Sequence, residues 1–474
     1  MASLSSRSLA TLATGWRDAT TGPAYGALAD RIRLLVIDGR IPLGTRLPAE
    51  RELAAQLQLS RTTVSAAYGQ LRDTGYVDSL RGSGSVVRLP ARAPDPGVTT
   101  TPEFLDLSKA TMPGIPAVLG ATERAAVLLP QYFGESGFDA LGLDILRQGL
   151  ADRYTRRGLP TSADEIMVTV GAQSAIAHVA RTLLGRGDRV LVESPSYPHA
   201  FEALRAAGGR LVPVSVSTED GWDELAMEQA IQRTSPTLAY LMPDFHNPTG
   251  RSMSPELRRR VIALAQRQGT TLVIDETMSG LGLDGQPEAP PFAIFGGPVI
   301  TIGSVGKSVW GGLRIGWIRA DREIIQRIAR MRFTYDLGTP VLDQLIVADL
   351  LPDYEQILAD RRIFLRENRD RLAALLADRL PAWRMPHVEG GLTAWVNLGT
   401  PVSSQLALAA RSEGVVIAAG PRFGLDGVFE RYLRIPFSHP IEDLERSVEA
   451  LERAWAQISR HPVAVTGADL AQVV

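Results

Sequence analysis

From Ile166 to Ile302 the chain repeats one pattern: a short apolar run, a turn, and then a stretch with helical periodicity. Ile166-Met167-Val168-Thr169-Val170, Arg189-Val190-Leu191-Val192-Glu193, Leu211-Val212-Pro213-Val214, Leu238-Ala239-Tyr240-Leu241-Met242, Thr271-Leu272-Val273-Ile274-Asp275 and Val299-Ile300-Thr301-Ile302 are the strands of this series. A helix predicted from Pro255 to Gln268 separates two of them. Alternation of this kind predicts an α/β domain with a mostly parallel sheet. Ligands of such sheets gather at loops beyond the strand C-termini.

The notable side chains sit at those loops. Gly171-Ala172-Gln173 lies between a strand end and a helix start, where free amides suit a phosphate. Tyr197 follows a Glu-Ser-Pro-Ser turn that can hold an aromatic face over a ring. Asn247 lies in the polar turn Asp244–Gly250 and can donate a hydrogen bond. Asp275 ends an apolar strand, so its carboxylate needs a cationic or hydrogen-bonding partner. The glycine-rich stretch from Ser304 to Trp317 carries Lys307 and, seven residues on, Arg314. Only Lys109 and Lys307 are lysines among the 50 basic residues. A lysine kept in an apolar loop of an arginine-rich chain points to amine chemistry, since guanidinium neither forms an imine nor gives up its proton. Each feature alone has a plain structural reading: a surface lysine in a turn, a glycine before a helix, a core tyrosine, an Asn-Pro turn. As an ordered set they fit pyridoxal 5'-phosphate, which needs a lysine for its aldehyde, an acid for its ring nitrogen, and amides plus an arginine for its phosphate.

The front of the chain has a different design. Leu28, Ile32, Leu35 and Val36 share a helical face, and a second short helix carries Leu53, Ala54 and Leu57. Ser60 is the predicted N-cap of a third helix, Arg61 to Asp73, with Arg61, Thr62 and Thr63 in its exposed first turn. Two strands, 76–80 and 85–87, are joined at Arg81-Gly82-Ser83-Gly84. Three short helices and a β-hairpin describe a winged helix-turn-helix, whose third helix enters a major groove. A small helical accessory domain is the plain alternative. Residues 1–90 hold 11 arginines against 7 acids, which leaves the body acidic.

At 474 residues the chain exceeds one domain. The expected division is a flexible extension 1–20, a winged helix at 21–88, a proline-rich structureless linker at 89–111, and a body at 112–474. The body divides into a large part, about 150–345, and a small C-terminal part, about 346–474. The absence of cysteine excludes disulfides and thiolate chemistry, and six scattered histidines show no metal-ligand spacing. With no membrane-length apolar run and no secretion signal, the expected location is the cytoplasm.

The front resembles the GntR family of bacterial transcription regulators. Leu47-Pro48-Ala49-Glu50-Arg51-Glu52-Leu53-Ala54 is similar to that family's second helix, Ser60–Val64 to its recognition helix, and Gly75–Gly84 to its wing. The resemblance implies that Arg51, Arg61, Thr62, Thr63, Arg81 and Gly82 touch double-stranded DNA. Residues 112–474 resemble a fold-type I, class I aminotransferase, and the whole chain resembles the MocR subfamily of GntR regulators. That resemblance makes Lys307 the Schiff-base lysine, Asp275 the pyridinium partner and Asn247 the hydroxyl donor. It makes Tyr197 the stacking aromatic, and Ala172, Gln173, Ser304 and Arg314 the phosphate contacts. Arg434 would grip an effector carboxylate, and Tyr132 would be lent across a homodimer interface. The resemblance also places Thr277 at the cofactor, where the chain departs from the subfamily by offering a hydroxyl in place of a common tyrosine, and it departs again at Gly306, where a serine commonly precedes the lysine. The implied function is a regulator that senses the cofactor, an amine or amino acid, or both, and binds an operator with two half-sites. An active aminotransferase with an accessory DNA-binding domain, and a body acting as a dimer scaffold alone, are the alternatives.

Overall fold

The computed structural model describes residues 3–14, 16–17, 23–37, 40–41, 44–80, 84–88, 104–425 and 427–459. Helix α1 (Ser6–Leu12) is capped by the Ser5 hydroxyl and sends Leu9, fully buried, into the core of the head. Helices α2 (Ala24–Ile37), α3 (Glu50–Leu57) and α4 (Arg61–Asp73) pack around that core, which also holds Trp16, Ile32, Leu53 and Val64. The flexible extension expected before residue 21 is therefore corrected for residues 3–14 and 16–17. Its sparse apolar side chains, Leu9 on α1 with Ala13 and Trp16 in the turns after it, close on the head. Strands β1 (Val77–Leu80) and β2 (Gly84–Val87) pair antiparallel as the wing.

The linker expectation is corrected in the same way. Residues 89–103 lie outside the described residues, but from Phe104 the chain belongs to the body. Strand β3 (Leu105–Asp106) pairs with a strand of the C-terminal part, and Leu107 and Ala110 are buried in the main core. The prolines cluster between Pro90 and Pro102, and the apolar residues that follow them have a face to bury.

Helices α5 (Ala117–Leu128) and α6 (Asp144–Arg156) lead into the large sheet. Its strands are β4 (Ile166–Thr169), β5 (Arg189–Ser194), β6 (Arg210–Ser217), β7 (Gly221–Trp222), β8 (Leu238–Leu241), β9 (Thr271–Asp275), β10 (Val299–Ser304) and β11 (Gly316–Arg319). Their spatial order is β4-β11-β10-β9-β8-β5-β6-β7. Neighbours from β10 to β6 pair in parallel, while β11 and β7 run antiparallel to theirs. Helices α7 (Gly171–Leu183), α8 (Pro198–Ala206), α9 (Glu224–Thr234), α10 (Pro255–Gln268) and α11 (Arg322–Arg332) alternate with the strands. Side chains of β5 show why the run is apolar throughout: Val190 and Val192 join one core, Leu191 the other.

Helices α12 (Val341–Leu350) and α13 (Tyr354–Arg379) lead to the small C-terminal part. There β12 (Thr393–Asn397), β14 (Ala418–Ala419) and β15 (Tyr432–Pro436) form a three-stranded sheet in the order β12-β15-β14. Strand β13 (Val415–Val416) is the partner of β3, and α14 (Ser403–Ser412) and α15 (Ile441–Ser459) cover this part. The head rests on it. Helix α2 faces α14 and α15 across a cleft of about 710 Å³. Beyond α2, Arg40 Nη2 donates to Gly427 O at 2.7 Å. Among the described residues no helix is long and apolar enough to cross a membrane.

Candidate functional site

Because β4, β5, β8, β9 and β10 point the same way, the loops after them converge at one edge of the sheet. The N-terminus of α7 supplies the backbone N–H groups of Gly171, Ala172 and Gln173. Gly171 has φ +75°, and an added Cβ would lie 2.7 Å from Arg314 Nη2. The tight approach brings a cation to a helix N-terminus, and both favour an anion there. Arg314, itself left-handed with φ 52°, is exposed and anchored by Nη2 donating to Val170 O at 3.2 Å. Gln173 Nε2 donates to His199 O at 2.9 Å, while its Oε1 is buried with no hydrogen-bond partner among the described residues.

Asp275 is 5% exposed at the end of β9. Its partners are neutral: Tyr240 donates its hydroxyl to Oδ2 at 2.6 Å, and the Thr277 N–H donates to Oδ1 at 3.0 Å. Tyr197 caps α8; burial, then the Asp275 carboxylate, push its phenol up to about 12. Asn247 is buried, and its Oδ1 has no hydrogen-bond partner among the described residues.

Lys307 ends a 3-10 turn, Val305–Lys307, directly after β10. Its Nζ donates to Ala110 O at 2.5 Å. Burial, followed by the Arg434 charge, brings its amine down to about 8; Asp275 opposes this and Arg314 adds a smaller push. An amine lowered in this way gives up its proton far more readily near neutral pH than one at the ordinary value of 10.5. Arg434 reaches in from β15. It is 5% exposed, its guanidinium carbon lies 4.9 Å from the centre of the Phe423 ring, and its Nη2 donates to Ser108 O. Burial pushes it down to about 10, against the pull of Tyr197 and Asp106.

The structure thus gathers Ala172, Gln173, Tyr197, Asp275, Lys307, Arg314 and Arg434 at one edge, and Asn247 follows β8 on the same side. Ser304 stands apart in its chemistry: its hydroxyl donates to Ile315 O at 3.0 Å and accepts from the Gly306 N–H at 3.0 Å, so its proton secures the loop. Tyr132 closes a 3-10 turn, Leu129–Tyr132, and packs on the main core of its own chain. Thr277 contributes its backbone N–H to Asp275. Sequence reasoning missed Tyr240, a hydroxyl in an aliphatic strand one place from β9. It also missed Glu276, buried and pushed up to about 7 chiefly by that burial, whose Oε1 accepts from the Phe292 N–H at 2.7 Å. Alternation along the chain turns Glu276 away from Asp275, and an acid following an acid at a strand end was the available signal. The carbonyls of Ser108 and Ala110 had no sequence signal at all.

In the head, Ser60 accepts from the Thr63 N–H at 3.1 Å and its hydroxyl also meets those of Thr62 and Thr63, each at 2.7 Å. This cap fixes the first turn of α4 with Arg61 and Thr62 exposed and Thr63 half-buried. Arg51 is exposed on α3. Arg81 and Gly82 lie outside the described residues. Arg46, not anticipated, sits beside the wing, 3.2 Å from where a Cβ on Gly84 would be.

Residues 135–451 match the family described as aminotransferase class I and II, and residues 24–87 match the bacterial regulatory proteins of the gntR family. The chain is 25% identical to the uncharacterized HTH-type transcriptional regulator YdfD of Bacillus subtilis (strain 168), over 90% of this chain and 95% of that protein. It is 31% identical to the 2-aminoadipate transaminase of Thermus thermophilus, over 61% of this chain and 74% of the transaminase. Among solved structures, LysN, the alpha-aminoadipate aminotransferase of Thermus thermophilus complexed with N-(5'-phosphopyridoxyl)-L-leucine, superposes with a TM-score of 0.69 at 26% identity. That superposition covers 76% of this chain and 96% of LysN. A gntR-family head precedes an aminotransferase fold, as in the HTH-type regulators of MocR-type architecture, and the chain belongs to the class I and II aminotransferase family.

Proposed function

We propose that this protein is a DNA-binding transcription regulator whose body senses pyridoxal 5'-phosphate together with an amino compound. The observation that carries this reading is the convergence of the Lys307 amine, the Asp275 carboxylate and the Arg314–α7 cradle at one sheet edge. Gly171, where a Cβ would meet Arg314, and the unpartnered buried oxygens of Asn247 and Gln173 support a bound polar group there. Lys307 would hold the cofactor through its amine. Asp275 would keep the ring nitrogen protonated, and Asn247 would donate to the ring hydroxyl. Tyr197 would cover the ring, and the amides of Gly171–Gln173 with Arg314 would bind the phosphate. When bound, pyridoxal phosphate supplies an electrophilic carbonyl carbon that exchanges between amines. Arg434 would orient an effector's carboxylate.

A homodimer on an operator with two half-sites accompanies this reading. In its support, Leu119 and Val127 of α5 are exposed, as are Phe133, Phe138 and Leu337, the last two brought together by the Asp139–Gly338 bridge. Apolar area of this kind fits a second copy of the chain. The test is visible absorbance and operator binding on the same sample. A band that forms with pyridoxal phosphate, is lost in Lys307→Ala, and whose change with an amino acid shifts operator affinity supports the proposal. A protein that forms no band, or ignores its own upstream DNA, refutes it.

The lowered pKa of Lys307, caused by burial and the Arg434 charge, and the likeness to a transaminase also favour residual aminotransferase chemistry. Repeated conversion of a keto acid by the purified protein would make that the main role.

A further inference from the structure

Residues 104–112 join the head-side linker to the body and cross the site. Their first half is stitched to the small part: Leu105 N donates to Gly414 O at 3.0 Å and Leu107 N to Val416 O at 2.8 Å. Leu107, Ala110 and Met112 are buried in the main core. Asp106 shapes the turn between, since its Oδ1 accepts from the N–H of Ser108 at 3.0 Å and from the Ser108 hydroxyl at 2.5 Å. Two carbonyls then face the site. Ser108 O takes a hydrogen bond from Arg434 Nη2, and Ala110 O takes one from Lys307 Nζ.

These two cations come from different parts of the molecule, β15 and the loop after β10. One tripeptide, Ser108–Ala110, therefore engages the group assigned to the effector's carboxylate and the amine assigned to the cofactor. Loading competes for both groups, a cofactor aldehyde for the Lys307 amine and an effector carboxylate for Arg434. An amine that condenses with an aldehyde, expelling water, keeps at most one N–H, where the ammonium form has three. A carboxylate makes charge-assisted hydrogen bonds to guanidinium, roughly twice as strong as those from a neutral carbonyl.

We propose that Ser108–Ala110 is an internal strap over the effector site, loosened at Ala110 when the cofactor takes Lys307 and expelled when the carboxylate of an amino compound takes Arg434. This rests on the roles assigned above to those two residues. The strap's exit has a direct route to the head. Phe104, which leads the segment 104–112, lies under the guanidinium of Arg411 at 5.7 Å and lines the cleft against α2 together with Arg33 and Leu34. The anchor that must give way is β3, two residues long. Occupancy is thereby read as a shift of the point from which the linker starts, and the head follows.

The test is hydrogen exchange of the full-length protein with N-(5'-phosphopyridoxyl)-L-leucine as the probe, its binding followed by calorimetry. The Leu105 and Leu107 amides are expected to exchange at least tenfold faster in the saturated protein, and protease cleavage within residues 89–103 to change in rate. Asp106→Ala is expected to speed the same two amides without probe and to tighten probe binding several-fold. Bound probe with unchanged exchange at both amides overturns the strap and leaves the cofactor reading standing. Failure of the probe to bind overturns both. An Asp106→Ala protein with ordinary protection and ordinary probe affinity overturns the role of the turn and, with it, the strap.

Discussion

Lys307→Met replaces an amine by an apolar chain of similar length, and the site sets the size of its effect. Bringing the pKa from 10.5 to about 8 means the folded state disfavours the ammonium form by roughly 3 kcal/mol. Methionine removes that penalty and also the hydrogen bond to Ala110 O, worth about 1 kcal/mol. Some discount for partial solvent contact of the half-buried residue leaves a net gain of about 1–2 kcal/mol near pH 7. The sign with pH follows from linkage. The folded pKa lies below the unfolded one, so between pH 8 and 10.5 the unfolded chain carries the extra proton. Wild-type stability therefore rises with pH across that window. The penalty is full below pH 8 and gone above 10.5. Urea unfolding of cofactor-free wild type and Lys307→Met, followed by tryptophan fluorescence from pH 7 to 11, should show the variant's advantage shrink to nothing by about pH 10.5. A variant less stable than wild type at pH 7, or an advantage that does not change with pH, refutes the account of a desolvated, charge-crowded amine.

Three further outcomes are expected. Gly171→Ala strains a left-handed position and sets a methyl 2.7 Å from Arg314 Nη2, so pyridoxal phosphate affinity measured by calorimetry should fall at least tenfold, about 1.4 kcal/mol or more. Tyr240→Phe leaves Asp275 Oδ2 without its 2.6 Å donor and should destabilise the body by about 1–3 kcal/mol in denaturant titrations; an unchanged midpoint would show that the bond is not made in solution. Arg61→Ala should weaken operator binding and reduce the slope of log K against log salt by about 1; an unchanged slope would take Arg61 off the phosphate backbone.

The strands of the body were legible because burial on both faces leaves an unbroken apolar run, as in β5 and β9. Helix α4 was legible from Ser60 at one end and Gly75 beyond the other. Lys307 stood out through its rarity, and Asp275 through its position at a strand end. What stayed hidden was whatever depends on backbone atoms or on distant pairings. The carbonyls of Ser108 and Ala110 belong to no residue type, and a two-residue strand such as β3 has no periodicity to detect. Proline density before Phe104 concealed the strap, and a run of Ser, Thr and Ala concealed α1, whose buried side chain is Leu9. The engagement of Ser304 with Ile315 depends on a chain reversal eleven residues long.

The contact between Arg40 and the Gly427 carbonyl has a consequence for exchanging parts between regulators. Gly427 has φ +73°, and a Cβ there would lie 2.0 Å from the Arg40 guanidinium. Its loop springs from Phe423, whose ring meets Arg434 and whose carbonyl accepts from the Ser196 N–H at 2.9 Å. A head grafted from another regulator onto this body would thus need a long donor at position 40 and the bare glycine opposite it. Without both, the chimera would carry a head that has lost its footing beside Arg434.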